Sequence, residues 1–273
     1  MTIPTSLSRA AQRAIQTTSP DLQDPASLRG RPKPQLRRYE VCSLLPNGNI
    51  AETRHIAPAL PIFEDAFCAF AGGSVVETAN GPVAIEDLLP GDEIVTGDGS
   101  SQPLLWKGRT SLIPGRPGPG GRNMRLTRIM ADSFGMQRPL SCVIAGPAAR
   151  LLYIPDHLRA LSGGKKMLTP VQEFIDGSNV IETAPPTPVE LFHLCLERHA
   201  VIRVGGLEFE TYHPGTNAPR TISHAMRSVY LNLFPHVDAL AGFGELAYPR
   251  AGDGQVDAAV PRASDPAYNA LSA

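Results

Sequence analysis

From Tyr39 to Tyr212 apolar and polar residues alternate mostly with a period of two, the spacing of strands with one face in a core. YEVCSLL and IAETRHI flank the turn PNGN, whose Asn-Gly pair supplies the positive φ angles of a tight turn, so residues 39–56 read as a hairpin. SVVETA, the turn NG and PVAIEDL repeat that design from Ser74 to Leu88. In PGDEIVTGDG, Pro90 and Gly91 break the chain, Asp92 to Thr96 extends it, and GDG turns it back. RPLSCVIAG, ARLLYI, KKMLTPVQEFI, VELFHLCL and HAVIRVGGLEFETY predict further short strands, and residues 111–122, SLIPGRPGPGGR, predict a mobile loop. ISHAMRSVYLNLF departs from this pattern: Ile222, Met226, Tyr230 and Leu233 fall on one face of a helix over residues 222–234. The expectation is a mainly β fold of antiparallel strands with a C-terminal helical extension.

Composition changes the picture at the ends. Residues 1–36 carry Ser, Thr, Gln, Arg and Pro without periodicity, and residues 251–273 are equally patternless. Both are expected to be disordered. Residues 37–66 then form a hairpin unit packed on a core domain, 67–215, which is followed by a helical cap over 216–250. The 273 residues hold 25 Lys and Arg against 26 Asp and Glu, a balance that gives no electrostatic reason to expect nucleic acid or a membrane surface as partner. The first thirty residues lack the apolar stretch of a secretory signal, and no run of about eighteen apolar residues exists to span a membrane. With no CxxC pair among Cys42, Cys68, Cys142 and Cys195, neither a disulfide framework nor a zinc site is expected. A cytoplasmic, monomeric protein without cofactor is the expectation, with a protein or peptide partner.

Several side chains invite chemistry. Cys68 is a candidate nucleophile, against the plainer reading of a small apolar residue in a packed strand. Cys195 alternates with His193 and shares its side of a strand. His157, His193, His199 and His213 are spaced too irregularly for a compact metal-ligand motif, so no metal is expected. The pairs Glu86-Asp87 and Asp92-Glu93 fall at solvated turns.

Three ordered stretches together resemble one family, the bacterial branch of Hedgehog/intein (Hint) domains: AFAGGSVVETANGPVAIEDLLPGDEIVTGDG with LLWKGR, then MRLTRIMADSFG, then VELFHLCLERHAVIRVGGLEFETYHPG. The resemblance implies a horseshoe of curved strands that breaks the peptide bond upstream of its first residue. A thiol there attacks the preceding carbonyl and converts the amide to a thioester. A histidine protonates the departing amine, and a Ser or Thr three residues before that histidine polarises the bond.

Placing the family's Gly-Thr pair on Gly73 and Ser74 puts its Phe on Phe70 and its nucleophile on Ala69. Cys68 then stands one residue early, a slip that turns a strand side chain to the opposite face unless a bulge at Gly72-Gly73 restores it. The family's S-P-x-H-R-L-L falls on residues 146–152, with Gly146 for the hydroxyl and Ala149 for the histidine. A rival register at Ile154-Pro155-Asp156-His157 keeps Pro-x-His without the hydroxyl. The resemblance thus implies a Hint domain with a degenerate site at Ala69, Gly146 and Ala149, without self-cleavage and serving as a binding or structural module. The alternative is an autoproteolytic protein that cleaves Phe67–Cys68, with Cys68 as nucleophile and His157 or His193 as proton donor; His199, like His193, belongs to the closing block whose histidines assist cleavage.

Overall fold

The computed structural model describes residues 35–115, 124–155, 159 and 166–251. The expected N-terminal arm, apart from Gln35 and Leu36, lies outside these residues, as do His157, most of the expected glycine-proline loop and the tail after Ala251.

Among the described residues, fifteen strands join in one antiparallel sheet. β1 (Leu36–Leu44) and β2 (Ile50–Pro58) form the first predicted hairpin, with Gly48 at φ 80° in its turn. After the two-residue β3 (Phe70–Ala71), β4 (Val75–Thr78) and β5 (Gly81–Ala84) form the second, closing at Gly81 with φ 108°. β6 (Glu93–Val95) then pairs with the start of β7 (Ser101–Leu112).

β7 organises the sheet. Its later residues pair with β1 on one edge, from Ser43 opposite Trp106 to Tyr39 opposite Thr110. On the other edge they pair with β13 (Val189–Leu196). This pairing corrects one expectation: Ser111 and Leu112 are not loop but strand, because Glu190 and Val189 continue the ladder opposite them. The remaining strands are β8 (Leu126–Ile129), β9 (Val143–Ala145), β10 (Arg150–Leu152), β11 (Leu168–Pro170), β12 (Val180–Thr183), β14 (Val201–Val204) and β15 (Leu207–Glu210). KKMLTPVQEFI contributes β11 and then a 3-10 turn over Val171–Phe174, so only part of that segment is strand.

Among the described residues, short helices accompany the sheet at α1 (Pro61–Glu64), α2 (Ala218–Thr221) and α3 (His224–Leu231). α3 occupies the middle of the predicted helix; Ile222 and Leu233 flank it, and all four residues of the predicted stripe are buried.

One aromatic core ties the N-terminal hairpin, the middle of the chain and the C-terminal extension together. The Trp106 indole meets Phe67 edge-on at 5.3 Å between ring centres and Phe234 at 4.7 Å, and its Nε1–H donates to the Leu233 carbonyl at 2.6 Å. Tyr39 of β1 lies 4.5 Å from Phe67, and Phe63 of α1 meets Tyr230 of α3 at 5.9 Å. The Tyr212 and Tyr230 hydroxyls bond each other inside this core. Gly108 makes the arrangement possible. A Cβ there would overlap the Trp106 ring and stand 2.6 Å from Phe67 Cδ1. Gly108→Ala is therefore expected to cost at least about 2 kcal/mol through overpacking, read as a loss of several degrees in Tm; an unchanged Tm would contradict this packing.

Candidate functional site

Residues 68–70 run through the interior of the sheet and are held on both edges. Phe70 pairs with Phe192 of β13 and with Ala145 of β9. One residue earlier, the Ala69 N–H donates to the Phe192 carbonyl at 3.0 Å, and the Ala69 carbonyl accepts from the Gly146 N–H at 2.7 Å. The Cys68 carbonyl accepts from the Ala148 N–H at 3.0 Å. Gly146 to Ala149 form a tight turn, closed by the Ala149 N–H on the Gly146 carbonyl at 3.2 Å, that wraps around this segment. The fit leaves no room at residue 146: a Cβ there would overlap the Cys68 carbonyl oxygen and lie 2.8 Å from the carbonyl carbon.

Cys68 itself is completely buried. Burial raises its thiol well above the usual range, the nearby Glu64 carboxylate raises it further, and Arg37 offsets only part of this. The sulfur stays a thiol at neutral pH, the less nucleophilic form. Cys195 is buried as well, which pushes its thiol up to about 12, and its Sγ points to the Tyr212 carbonyl at 3.7 Å rather than to His193.

The histidines of the closing block divide into two roles. His199 accepts the Ala247 N–H at Nδ1 (2.9 Å), which leaves Nε2 to donate to Glu210 Oε1 at 2.9 Å. His213 accepts the Gly215 N–H at Nδ1 (2.9 Å), and its Nε2 donates to the Gly244 carbonyl at 3.1 Å. Arg250 completes this network, with Nε on Glu210 Oε1 at 2.7 Å and Nη2 on the His213 carbonyl at 2.8 Å. Burial alone would raise the Glu210 carboxyl; the His199 hydrogen bond, Arg250 and Arg150 outweigh it and hold the group at about 2. His199 and His213 thus dock the segment 244–250 onto β14 and β15. Nothing in the spacing of the sequence marks Glu210 and Arg250 as partners, because forty residues separate them.

His193 differs. Its Nδ1 takes the Leu194 N–H at 3.1 Å, and among the described residues its Nε2 has no hydrogen-bond partner. The ring packs edge-on against Phe70 and Tyr212. Burial holds it neutral, with its pKa lowered to about 3. It lines a cavity of about 330 Å³, together with Asp65, Arg150, Tyr212, His213 and Arg250. A larger cavity of about 750 Å³ lies along Leu36–Arg38 and Arg109–Ser111 and contains none of the candidate residues. Among the described residues, no group of three or more His, Cys, Asp or Glu is placed to hold a metal ion.

A sequence profile for the Hint domain matches residues 68–216, more than half of the chain. The chain belongs to the Hint-domain family. Similar solved structures are inteins or intein-like domains. The bacterial intein-like domain from Clostridium thermocellum is 13% identical with a TM-score of 0.38, covering 54% of this chain and 99% of that one. The DnaB intein from Synechocystis sp. PCC 6803 is 15% identical with a TM-score of 0.32, covering 53% and 98%. The MchDnaB-1 intein is 14% identical with a TM-score of 0.33, covering 53% and 100%. No curated protein matches the chain.

Within this Hint domain the buried histidines make stability depend on pH. Below about 6.5 the unfolded chain takes up protons at His193 and His213. The folded chain refuses them down to about 3 and about 4, chiefly because both rings are buried. Their contribution is complete above 6.5 and is lost as the pH falls through that window. Glu64 works in the opposite sense: burial raises it to about 7, so what it contributes is present below its ordinary value and lost as the pH rises to 7. His236, which burial also lowers to about 4, adds to the histidines, and Asp65, which burial raises, sides with Glu64. The three larger histidine shifts dominate, so Tm is expected to fall between pH 6.5 and 4, with a shallower slope in His213→Asn. A flat or rising Tm would contradict this assignment.

Proposed function

We propose that this Hint domain has lost self-cleavage and serves as a binding module, with the 330 Å³ cavity beside His193 as its binding site. The observation that carries the reading is the clamp on residues 68–70. In the register that places the family's nucleophile on Ala69, its hydroxyl on Gly146 and its histidine on Ala149, the bond to be broken is Cys68–Ala69. Its carbonyl oxygen is taken by a backbone N–H, and its nitrogen donates to Phe192. A methyl group can neither attack that carbonyl nor supply a proton, and the hydroxyl of a Ser at 146 would have to enter space that the carbonyl itself fills. Removing several members of such a catalytic unit costs orders of magnitude in rate.

The rival reading, cleavage at Phe67–Cys68 by Cys68, is weakened by the same geometry. The thiol is buried and protonated, and Phe67 is packed between Tyr39 and Trp106. The N-terminal hairpin would also remain attached after cleavage, because β1 is hydrogen-bonded to β7 across five residue pairs.

Intact mass spectrometry of the full chain, incubated with and without hydroxylamine or a thiol, tests the proposal. The chain is expected to stay whole at 29.2 kDa, as is its Cys68→Ala variant. Fragments that break at Phe67–Cys68, and disappear in Cys68→Ala, would overturn it.

A further inference from the structure

The cavity beside His193 holds hydrogen-bond donors that the protein does not use. Arg150 is three-quarters buried, and its nearest anion is Glu210 Oε2 at 3.6 Å, an ion pair too long to be a hydrogen bond. Among the described residues, no acceptor takes any N–H of its guanidinium, and its Nε is sealed from water. Glu210 Oε1 is held by His199 and Arg250 at 2.9 and 2.7 Å, and Oε2 stays 3.6 Å from the Arg150 guanidinium. His193 is 4% exposed, and its Nδ1 is occupied by the Leu194 N–H, so Nε2 is the ring nitrogen left for a molecule in the cavity. The terminal Nη atoms of Arg150 and the Nε2–H of His193 are thus the donors that an occupant with acceptor oxygens can engage.

Among the residues that line the same space, one is acidic. Asp65, just beyond α1, is exposed at the rim. Desolvation raises its carboxyl, and Arg150 and Arg250, neither in an ion pair with it, offset part of this. Arg250 is engaged by Glu210 and the His213 carbonyl, so Arg150 is the cation with donors to spare. Apolar contact comes from Ile62, Tyr212 and Ala218. The volume is at the small end of ligand sites.

We propose that this cavity binds an α-amino or α-amido carboxylate, with the carboxylate on Arg150 and His193 Nε2–H and the ligand's N–H toward Asp65. The guanidinium fork matches the two oxygens of a carboxylate, which a single carbonyl does not satisfy. A free amino acid and the C-terminal residue of a peptide share this chemistry. The inference rests on the reading of the cavity as a binding site and adds the class of ligand.

Titration of the ¹⁵N-labelled full chain by NMR tests it, with N-acetylalanine, alanine, N-acetylalanine carboxamide and inorganic phosphate as probes. N-acetylalanine or alanine is expected to shift the Arg150 Nε–H and His193 ring signals in a saturable way. Saturation by N-acetylalanine alone points to a peptide terminus, and by alanine with a free amine to an amino acid. The carboxamide and the Arg150→Lys variant are each expected to bind at least about tenfold more weakly, a difference of about 1.4 kcal/mol. Arg150→Lys keeps a cation beside Glu210, and its unchanged Tm would show that the loss is local. His193→Gln, which retains an N–H donor, is expected to bind better than His193→Phe. No saturable shift with either carboxylate, or equal binding of the carboxamide or of phosphate, would overturn the proposal. Mass spectra of the same samples separate the two claims: a whole chain that ignores both carboxylates defeats the ligand class alone, and a fragmenting chain defeats the loss of cleavage.

Discussion

The carbonyl oxygen of Cys68 occupies the place where a side chain of residue 146 would stand. That close approach sets the geometry around it. It lets the Gly146–Ala149 turn close over residues 68 and 69, and the turn's N–H groups take both of their carbonyl oxygens. β13 supplies the opposite edge through the Phe192 carbonyl. Acyl transfer at this bond needs a nucleophile at the carbonyl carbon and a proton for the nitrogen, and the methyl groups of Ala69 and Ala149 supply neither.

The same segment is anchored from outside the family's boundaries. Phe67 sits between Tyr39 of the N-terminal hairpin and Trp106 of β7, and Trp106 bonds the Leu233 carbonyl of the C-terminal extension. Residues 244–250 dock onto His199, Glu210 and His213. The closing-block histidines therefore hold down a covering segment, with one exception: among the described residues, His193 keeps a ring nitrogen without a hydrogen-bond partner, in the cavity that Arg150 also lines.

The hairpins were legible because Asn-Gly turns and period-two alternation act locally, within a few residues. The helix near the C-terminus was legible in its apolar stripe but not in its length: Ile222 caps α2 and Leu233 lies beyond α3, so burial of the stripe, rather than helical propensity, decides the path. Ser111 and Leu112 read as loop because Pro and Gly follow them, and only the ladder with β13 keeps them extended. At the site, Ala69, Gly146 and Ala149 stood out by their departure from a motif. That Gly146 is required by packing did not, since the carbonyl that excludes a side chain belongs to a residue 78 positions earlier. Arg150 read as one more motif residue. Its missing hydrogen bonds appear only when β10, β13 and the docked C-terminal segment surround it.

Amide hydrogen exchange at residues 69, 146 and 148 tests the central claim most directly. If the backbone clamp holds the segment closed, these three N–H groups exchange only through global unfolding, with the same protection as the β7–β13 ladder. Exchange orders of magnitude faster than that ladder would show a segment that opens locally, and would contradict a site closed by its own backbone.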